Sequence, residues 1–503
     1  MCMYSLALRR LCSMFKTGMV TALRSTAVLL FAQVSTSVWA QDQSQLEGSN
    51  DRLLTLQRYE ADLENLESAF GPFDPRLQEP LTAMERLQRE LGDFERVLEI
   101  QTRRLQLLRT AQGLEYPDII PLLEALVRTE IQLGNWEDVS DHLEHLRSLI
   151  LAINGSDSPE MMEALERQAS WFLARVYLDE DRNRVRNFLD ARDSYKDLLD
   201  MAEGSLDKDD PQLIPWLGKR AYSLHQLVGL LNSGGSISSQ MIRETVRRDG
   251  VARLQSARSG LGVAFSSFDP LRSVPITEKG EVVGSGYLRM AAGYFNDIRK
   301  IAEAQGDWEI WAMATLYHGD YNFLTGLRNG RSDYLNAIEK LEELGYSKER
   351  LEAFFARPMI IPAQQFYPRF SEYEAHSQLI QGTLSPVDVE GHALKADKPW
   401  NEPMHAGVFN AWEEGAATVA MPVLTDPLFA LNLSYHEVDL QFRVNSRGAV
   451  SSVKVLQTQP EESRARGIAR RAVRKMRFRP AIYDGRTRSR PVVQLRYRVV
   501  PDE

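Results

Sequence analysis

A repeat with a period of 42 residues constrains the fold of this chain more than any other feature. Leu91–Glu95 reads L-G-D-F-E, and Leu133–Glu137 reads L-G-N-W-E. Pro75, Pro117 and Pro159 stand at the same offset of 42 residues. Coincident offsets of this kind indicate that each repeat is one supersecondary unit. Because the apolar residues between these markers recur at helical spacing, each unit is predicted to hold two helices.

The helices of the repeat array can be placed from these markers. The two clearest pairs are predicted at Arg76–Leu91 with Phe94–Gln112, and at Asp118–Leu133 with Trp136–Ile153. A longer third pair is predicted between Met161 and Met201, because the next proline of this kind, Pro211, follows Pro159 after 52 residues. Further helices are expected at 211–232, 241–259, Tyr287–Gln305, Tyr334–Leu344 and Lys348–Ala356.

Such units resemble tetratricopeptide repeats, in the longer variety with a proline before each new pair. The resemblance departs from the family pattern at Val97 and Val139, where a small residue is expected early in the second helix. It implies an α-solenoid in which neighbouring pairs bury one another's apolar faces. Phe94, Trp136 and Trp308 follow repeat turns, and either line a peptide-binding groove or pack between helices.

The last seventy residues follow a different pattern. Val438–Val444 and Pro491–Val500 alternate apolar and polar residues, as half-buried strands do. Val450–Leu456 reads as a further strand after a turn at Gly448, a residue free to adopt positive φ. Glu461–Arg477 has helical spacing and many Lys/Arg residues. The order is therefore strand, strand, basic helix, strand.

This pattern resembles the TonB C-terminal domain over about residues 430–501. The matching motifs are V-x-L-x-F-x-V-x-x-x-G at Val438–Gly448, V-x-V-L at Val453–Leu456, and R-F-R-P-A at Arg477–Ala481 followed by Asp484-Gly485. The resemblance implies a small αβ domain of the cell envelope that binds partners and catalyses nothing. The predicted fold is mainly α: a solenoid of tetratricopeptide-like helix pairs followed by a small α+β TonB-C-like domain.

The N-terminus predicts export. Basic residues precede the short apolar run Thr26–Val34, and Val38 and Ala40 suit signal peptidase, so cleavage is expected after Ala40. Met1, Met14 and Met19 are alternative starts. An uncleaved inner-membrane anchor is the competing interpretation, although a spanning helix needs about twenty apolar residues. Both cysteines lie in this leader. A cysteine-free mature protein in the periplasm is therefore expected.

Charge and proline divide the rest of the chain. The net charge is −9, yet residues 434–503 hold 16 Lys/Arg against seven Asp/Glu, a balance of +9, so the remainder carries −18. Residues 358–427 hold eight of the 22 prolines and keep no period, which predicts a partly packed connector. The predicted domains are a signal peptide at 1–40, repeats at 41–265, a further repeat-like segment at 286–357, this connector, and the TonB-like domain at 428–503.

Residues that carry chemistry are scarce. No phosphate-binding or dinucleotide-binding loop occurs. His142 and His145 have spacing that two metal ligands can use, but a solvated helix face is the favoured interpretation. Asp207–Asp210 lacks the glycine and the distal glutamate of a calcium loop. We therefore expect no enzyme activity, no cofactor, no metal and no catalytic residue. Because the protein is predicted to be exported, we do not expect a nucleic-acid partner.

The last strand offers a binding mechanism. If it lies at a sheet edge, it can accept an extended peptide through backbone hydrogen bonds. The resemblance to TonB implies an extended segment of an outer-membrane protein as that peptide. An ordinary edge protected by arginines, or a homodimer through this domain, is the alternative. The candidate partner-binding residues are Val492, Gln494, Arg496 and Arg498 on this strand, with Arg470 and Arg474 on the basic helix.

The sequence thus predicts a non-enzymatic periplasmic adaptor that binds envelope proteins. The repeats would bind one partner, and the C-terminal domain would bind another. Two alternatives stay open. One is a TonB-family energy transducer for outer-membrane transport that keeps its N-terminal anchor. The other is an envelope glycan-processing protein, whose site would lie within residues 266–427, or a glycan-binding protein that uses the basic C-terminal domain.

Overall fold

The computed structural model describes residues 52–178, 181–231, 285–325, 330–381, 384–388, 390–394, 401–411 and 435–499. The predicted leader at 1–40 and the predicted helix at 241–259 lie outside these ranges. The chain forms two compact units, Met1–Thr129 and Glu130–Glu503.

The first unit is built from paired helices. Helix α1 (52–70) is followed by a short 3-10 turn, by α2 (Gln78–Leu91) and by α3 (Phe94–Gln112), and α4 (Ile119–Leu133) begins in this unit. The Asp74 side chain accepts a hydrogen bond from the Arg76 N–H, which fixes the start of the 3-10 turn. The core residues come from α1, α2, α3 and this turn: Leu56, Leu63, Leu77, Leu81, Met84, Leu87, Ile100 and Leu107.

The second unit continues with helices. After the end of α4 come α5 (Trp136–Asn154), α6 (Pro159–Leu178), α7 (Asp181–Ser205), α8 (Ile214–Leu231), α9 (Ser285–Gln305), α10 (Trp308–Leu324), α11 (Arg331–Glu343), α12 (Lys348–Phe355) and α13 (Phe370–Gln381). One hydrophobic core extends from Leu173 in α6 to Tyr373 in α13. The predicted helix pairs are confirmed, and the predicted long third pair corresponds to α6 and α7.

The Gly-Asp-aromatic turns explain why these helices begin where they do. Gly92 and Gly306 close the preceding helices with φ of 81° and 69°, values that glycine adopts without strain. The next residue then caps the new helix: Asp93 accepts from the Arg96 N–H, and Asp307 accepts from the Ile310 N–H. The repeated sequence is therefore a helix stop followed directly by a helix start.

The C-terminal part is a four-stranded sheet with one helix on it. The strands are β2 (Met404–Ala411), β3 (His436–Val444), β4 (Val450–Gln459) and β8 (Arg490–Val499), in the order β2-β8-β3-β4. Helix α14 (Ser463–Lys475) covers one face. We call these four strands and α14 the head. Its core includes Val438, Leu440, Phe442, Ile468, Val473, Val493, Leu495 and Tyr497.

Shorter strands accompany the head. β1 (Met359–Ile360) pairs with β5 (Phe478–Arg479), and β6 (Ala481–Tyr483) forms a hairpin with β7 (Arg486–Arg488). The fold is thus mainly helical with a small strand-containing C-terminal part. None of the helices in the described ranges is long and apolar enough to cross a membrane.

The predicted connector, residues 358–427, contributes to both parts. It supplies β1, α13 and β2, and β2 runs parallel to β8 from Met404 opposite Val493 to Ala411 opposite Val499. No strand is predicted here from the sequence, because Gly407, with φ of 95°, and a register shift after His405 interrupt the alternation that identifies a strand. Phe409 of β2 stacks on Tyr497 of β8, with ring centroids 5.6 Å apart.

Candidate functional site

The last strand lies one strand in from the edge of the sheet, and not at the edge itself, which the peptide-binding mechanism requires. β8 is a central strand, with β3 on one side and β2 on the other. The backbone groups that an incoming peptide would need are already paired with β2, whose residues lie 88 or 89 positions before their partners in the same chain. An added strand at β8 would have to displace β2 first.

The polar side chains of β8 are engaged within the sheet. Gln494 is 3% exposed, and its Oε1 accepts a hydrogen bond from the Val387 N–H at 3.0 Å. Arg496 donates to the Asp439 carboxylate at 2.8 and 3.0 Å. Arg498 donates to Glu437 at 2.8 Å. These contacts form a ladder across β3 and β8, and cross-strand pairs of opposite charge stabilise a sheet.

Val492 is half-buried on the same strand. Its role, and that of the other three candidate residues, in binding a partner stays a prediction. What the structure removes is the edge position on which the proposed mechanism depended.

β4 lies at the outer side of the sheet in the described part of the chain, since it pairs there with β3 only. Its register with β3 shifts twice, between Asp439 and Leu440 and again between Gln441 and Arg443. Ser452 adopts a φ of 56° in the second irregular stretch. Bulges and an exposed lysine, here Lys454, are common devices that prevent edge-to-edge pairing. A long added strand therefore fits β4 poorly.

Helix α14 presents a strongly basic outer surface. Its apolar residues Ala465, Ile468, Ala469, Ala472 and Val473 are all buried against the sheet. Arg466, Arg470 and Arg474 follow one another at intervals of four residues and form one row on the helix. We call these three residues the arginine ridge. Arg477 lies beyond the end of the helix. Arg470 and Arg474, the two candidates predicted from the sequence, are both exposed.

A buried ion pair fixes the head to the helices. Arg479 of β5 donates to both carboxylate oxygens of Asp320 in α10, at 2.9 and 2.5 Å, and also to the Tyr373 hydroxyl at 3.2 Å. The Arg479 and Asp320 side chains are 2% and 0% exposed. Burial alone would lower the pKa of Arg479, but the adjacent Asp320 carboxylate outweighs it and holds that pKa well above the ordinary value. The guanidinium is therefore charged.

Further contacts connect the head and the short strands beside it with the rest of the second unit. Arg490 of β8 donates to the backbone carbonyls of Glu402 and Ala356, both at 2.6 Å. Gly448 packs so closely that a Cβ there would lie 1.9 Å from the Phe478 carbonyl oxygen. Ile482 of β6 belongs to the core of the helices. The helical part of the second unit and the head therefore share one packed frame.

A narrow polar cleft lies on the sheet face opposite α14. It encloses about 120 Å³ and is lined in part by His405, Asp439, Gln494 and Arg496. His405 is 6% exposed, and its Nδ1 accepts the Gly407 N–H at 2.9 Å. Burial lowers the pKa of His405 to about 4. The imidazole is therefore neutral at pH 7, and it serves the turn in β2 as a hydrogen-bond acceptor.

The repeat aromatics differ in their surroundings. Trp136 packs against Trp171, with ring centroids 6.2 Å apart. Trp308 is 42% exposed and carries Lys340 above its ring at 5.2 Å. Phe94 is half-buried. Packing thus accounts for Trp136, while Trp308 presents surface to solvent.

The two histidines singled out in the sequence do not form a metal site with each other. His142 Nε2 lies 3.7 Å from a Glu130 carboxylate oxygen, and His145 has a partner of its own. In the described ranges, ligand atoms of Asp388, Glu390 and His392 lie within 4.8 Å of one another in an exposed loop. Asp388 Oδ1 accepts the N–H groups of Glu390 and His392, so hydrogen bonds of the loop explain this cluster.

The Arg479–Asp320 pair could not be anticipated from the sequence. The two residues are 159 positions apart, and neither stands in a charge pattern that points to the other. The R-F-R-P-A motif carries no such signal, because successive side chains of an extended segment point to opposite faces, and burial of Phe478 therefore does not imply burial of Arg479.

No protein-family model matches this chain, and no curated protein matches it. Among solved structures, the chain is similar to a kinesin light chain-like protein from Podosopora anserina with nearly identical TPR-like repeats. The identity is 12%, the match covers 41% of this chain and 89% of that one, and the TM-score is 0.27. BtubC (BKLC) from P. vanneervenii is similar at 12% identity over 59% of this chain and 93% of that one, with a TM-score of 0.25. Similarity at this level does not bear on function.

Proposed function

We propose that this protein is a non-catalytic scaffold that holds protein partners in a fixed arrangement. The observation that carries the proposal is the attachment within the second unit: the Arg479–Asp320 pair joins β5 to α10, and Ile482 of β6 packs in the core of the helices. A partner bound to the helices and a partner bound to the head are then held at a constant separation.

The surfaces of the chain suit binding better than catalysis. In the first unit, a groove of about 660 Å³ is lined by Phe73, Leu98, Thr102 and other residues of α3 and the preceding loop. Phe73 is 58% exposed. Helical repeats commonly present such extended surfaces to other proteins. In the head, most of the charged side chains of β8 pair with β3. The exposed basic side chains of α14 are available to bind a partner.

We further propose that the scaffold works in the periplasm and that the head is a divergent TonB-like domain. The sequence supports this proposal through the leader ending at Ala40, the absence of cysteine after Cys12, and the motifs from Val438 to Gly485. The departure from that family is specific: β2 of the same chain occupies the side of β8 at which the peptide was expected.

Chemical cross-linking of the full chain in its native cells tests the scaffold. We expect at least two proteins to be enriched together over a control that expresses the affinity tag alone, as measured by quantitative mass spectrometry. Enrichment of none would contradict the proposal. The same preparation reports location: a mature chain beginning at Gln41 in the periplasmic fraction is expected, whereas an intact leader in the membrane fraction would favour the anchored transducer.

A further inference from the structure

We propose that the arginine ridge of α14 is the docking surface for an extended acidic segment of a partner protein, with carboxylates at alternate positions. This inference rests on the proposed scaffold function and names the class of partner that the head would bind.

The direction of α14 follows from contacts near its two ends. Arg466 Nε donates to the Thr458 hydroxyl at 3.1 Å, next to the end of β4. At the other end, Arg477 forms a β-bridge with Ala449, the residue before β4 begins. Helix α14 therefore runs antiparallel to β4. Arg470 and Arg474 follow Arg466 in the same row of the helix, between these two ends.

The ridge carries charge that the described part of the chain does not neutralise. Arg466 is paired with Glu461 at 2.6 Å. Arg470 and Arg474 are exposed and form no ion pair within the described ranges. The opposite row of the helix differs, because Arg464 and Arg471 both interact with other groups of the chain. Arg470 and Arg474 therefore carry positive charge that no ion pair in the described ranges offsets.

The spacing of the ridge selects an extended ligand. Residues four apart on a helix are separated by about 6 Å along its axis. Alternate residues of an extended chain are separated by about 6.6 Å. Acidic side chains at every second position can therefore meet Arg466, Arg470 and Arg474 in turn, whereas adjacent acidic residues point to opposite sides of the segment. The planar guanidinium also matches a carboxylate in a bidentate manner.

One feature favours a protein segment over an anionic membrane surface. Every apolar side chain of α14 faces the sheet, so the helix offers nothing to insert among lipid tails. The arginines of the ridge follow one line along the helix, which fits a linear ligand.

The bulges in β4 limit which contacts can contribute to the binding of the segment. Because its backbone edge is irregular around Ser452, a bound segment gains few backbone hydrogen bonds there. Binding therefore depends on the arginine–carboxylate contacts and weakens as ionic strength rises.

The test uses the full chain and fluorescence anisotropy with two labelled ten-residue peptides of identical composition. One has glutamate at alternate positions with threonine between, and the other has the five glutamates in one block. We compare the variant R470Q/R474Q with the matched control R471Q/K475Q, which removes the same charge from the neighbouring row. All four residues are exposed, so circular dichroism should show unchanged folding.

We expect the alternating peptide to bind more tightly than the block peptide. R470Q/R474Q should weaken its binding on the order of tenfold or more, since each contact is a charge-assisted hydrogen bond. The control should change binding by less than about threefold. Equal effects of the two double variants, or equal binding of the two peptides, would overturn the proposal. Tighter binding of the chain to phosphatidylglycerol vesicles than to the peptide would also overturn it.

The outcome is separable from the scaffold itself. If R470Q/R474Q leaves the cross-linked partners in cells unchanged, the ridge proposal fails while the scaffold stands. If the unaltered chain captures no partner, the scaffold fails whatever the peptides do.

Discussion

The buried pair between Arg479 and Asp320 allows a quantitative prediction. Asp320→Ala removes both oxygens that Arg479 contacts at 2.9 and 2.5 Å and leaves the guanidinium with the Tyr373 hydroxyl as its nearest oxygen partner. Removing one member of a buried ion pair typically costs 3–5 kcal/mol. Because the Asp320 side chain is 0% exposed, water cannot replace it, and we expect a loss of about 4 kcal/mol.

The double variant Asp320→Leu with Arg479→Met is the matched control. It replaces the pair by apolar side chains of comparable size, a change that is often close to neutral. We expect it to cost about 1 kcal/mol, far less than the single variant. Urea unfolding followed by tryptophan fluorescence measures both losses, and hydrogen–deuterium exchange of the segment around Arg479 reports where the structure opens.

Two results would refute this reasoning. A loss below about 1 kcal/mol for Asp320→Ala would mean that the pair is not buried as described. A double variant as unstable as the single one would mean that volume and packing, and not the unpaired charge, determine the loss.

The remaining predictions concern single positions. Gly448→Ala should cost about 3 kcal/mol, because its Cβ would meet the Phe478 carbonyl, whereas Gly485→Ala, at a similar φ but in open space, should cost about 1 kcal/mol in thermal unfolding. The free energy of unfolding should fall by at most about 3 kcal/mol between pH 6.5 and pH 4. His405 binds a proton in the unfolded chain over this range, whereas in the folded chain burial lowers its pKa to about 4. His405→Gln should therefore reduce the dependence of stability on pH. Asp93→Ala should cost about 1 kcal/mol through loss of a helix cap.

These single-site predictions can each fail. Equal losses for the two glycine variants would show that backbone strain alone matters at Gly448. An unchanged pH slope in the His405 variant would assign the dependence to other groups, such as the fully buried His225, whose pKa burial lowers to about 3. Stability of Asp93→Ala within experimental error would show that the Gly92 helix stop suffices to start α3.

The helical part was predictable because its signals are local. A glycine at positive φ and a capping aspartate stand at adjacent positions, as in Gly92-Asp93 and Gly306-Asp307, and each marks a boundary within a few residues. The strands β3, β4 and β8 were predictable for the same reason, since alternation is a property of consecutive residues.

The position of the last strand was not predictable because it depends on a distant segment. β2 pairs with β8, yet Gly407 and the shift after His405 hide its strand character. The candidate site therefore moved: the residues of β8 form a ladder with β3, and Arg470 and Arg474 of α14 are the predicted candidates that face solvent. The direction of α14 relative to β4 is known only from the contacts of Arg466 with Thr458 and of Arg477 with Ala449.

Site-specific photo-cross-linking tests the central claim most directly. A photoreactive amino acid is placed at position 475, exposed and next to Arg474, or at position 492 on β8, in the full chain in its native cells. We predict a protein adduct from position 475, joined to a peptide with acidic residues at alternate positions, and none from position 492. An adduct from position 492 with none from position 475 would contradict the account, because it would mean that partners replace β2 beside β8.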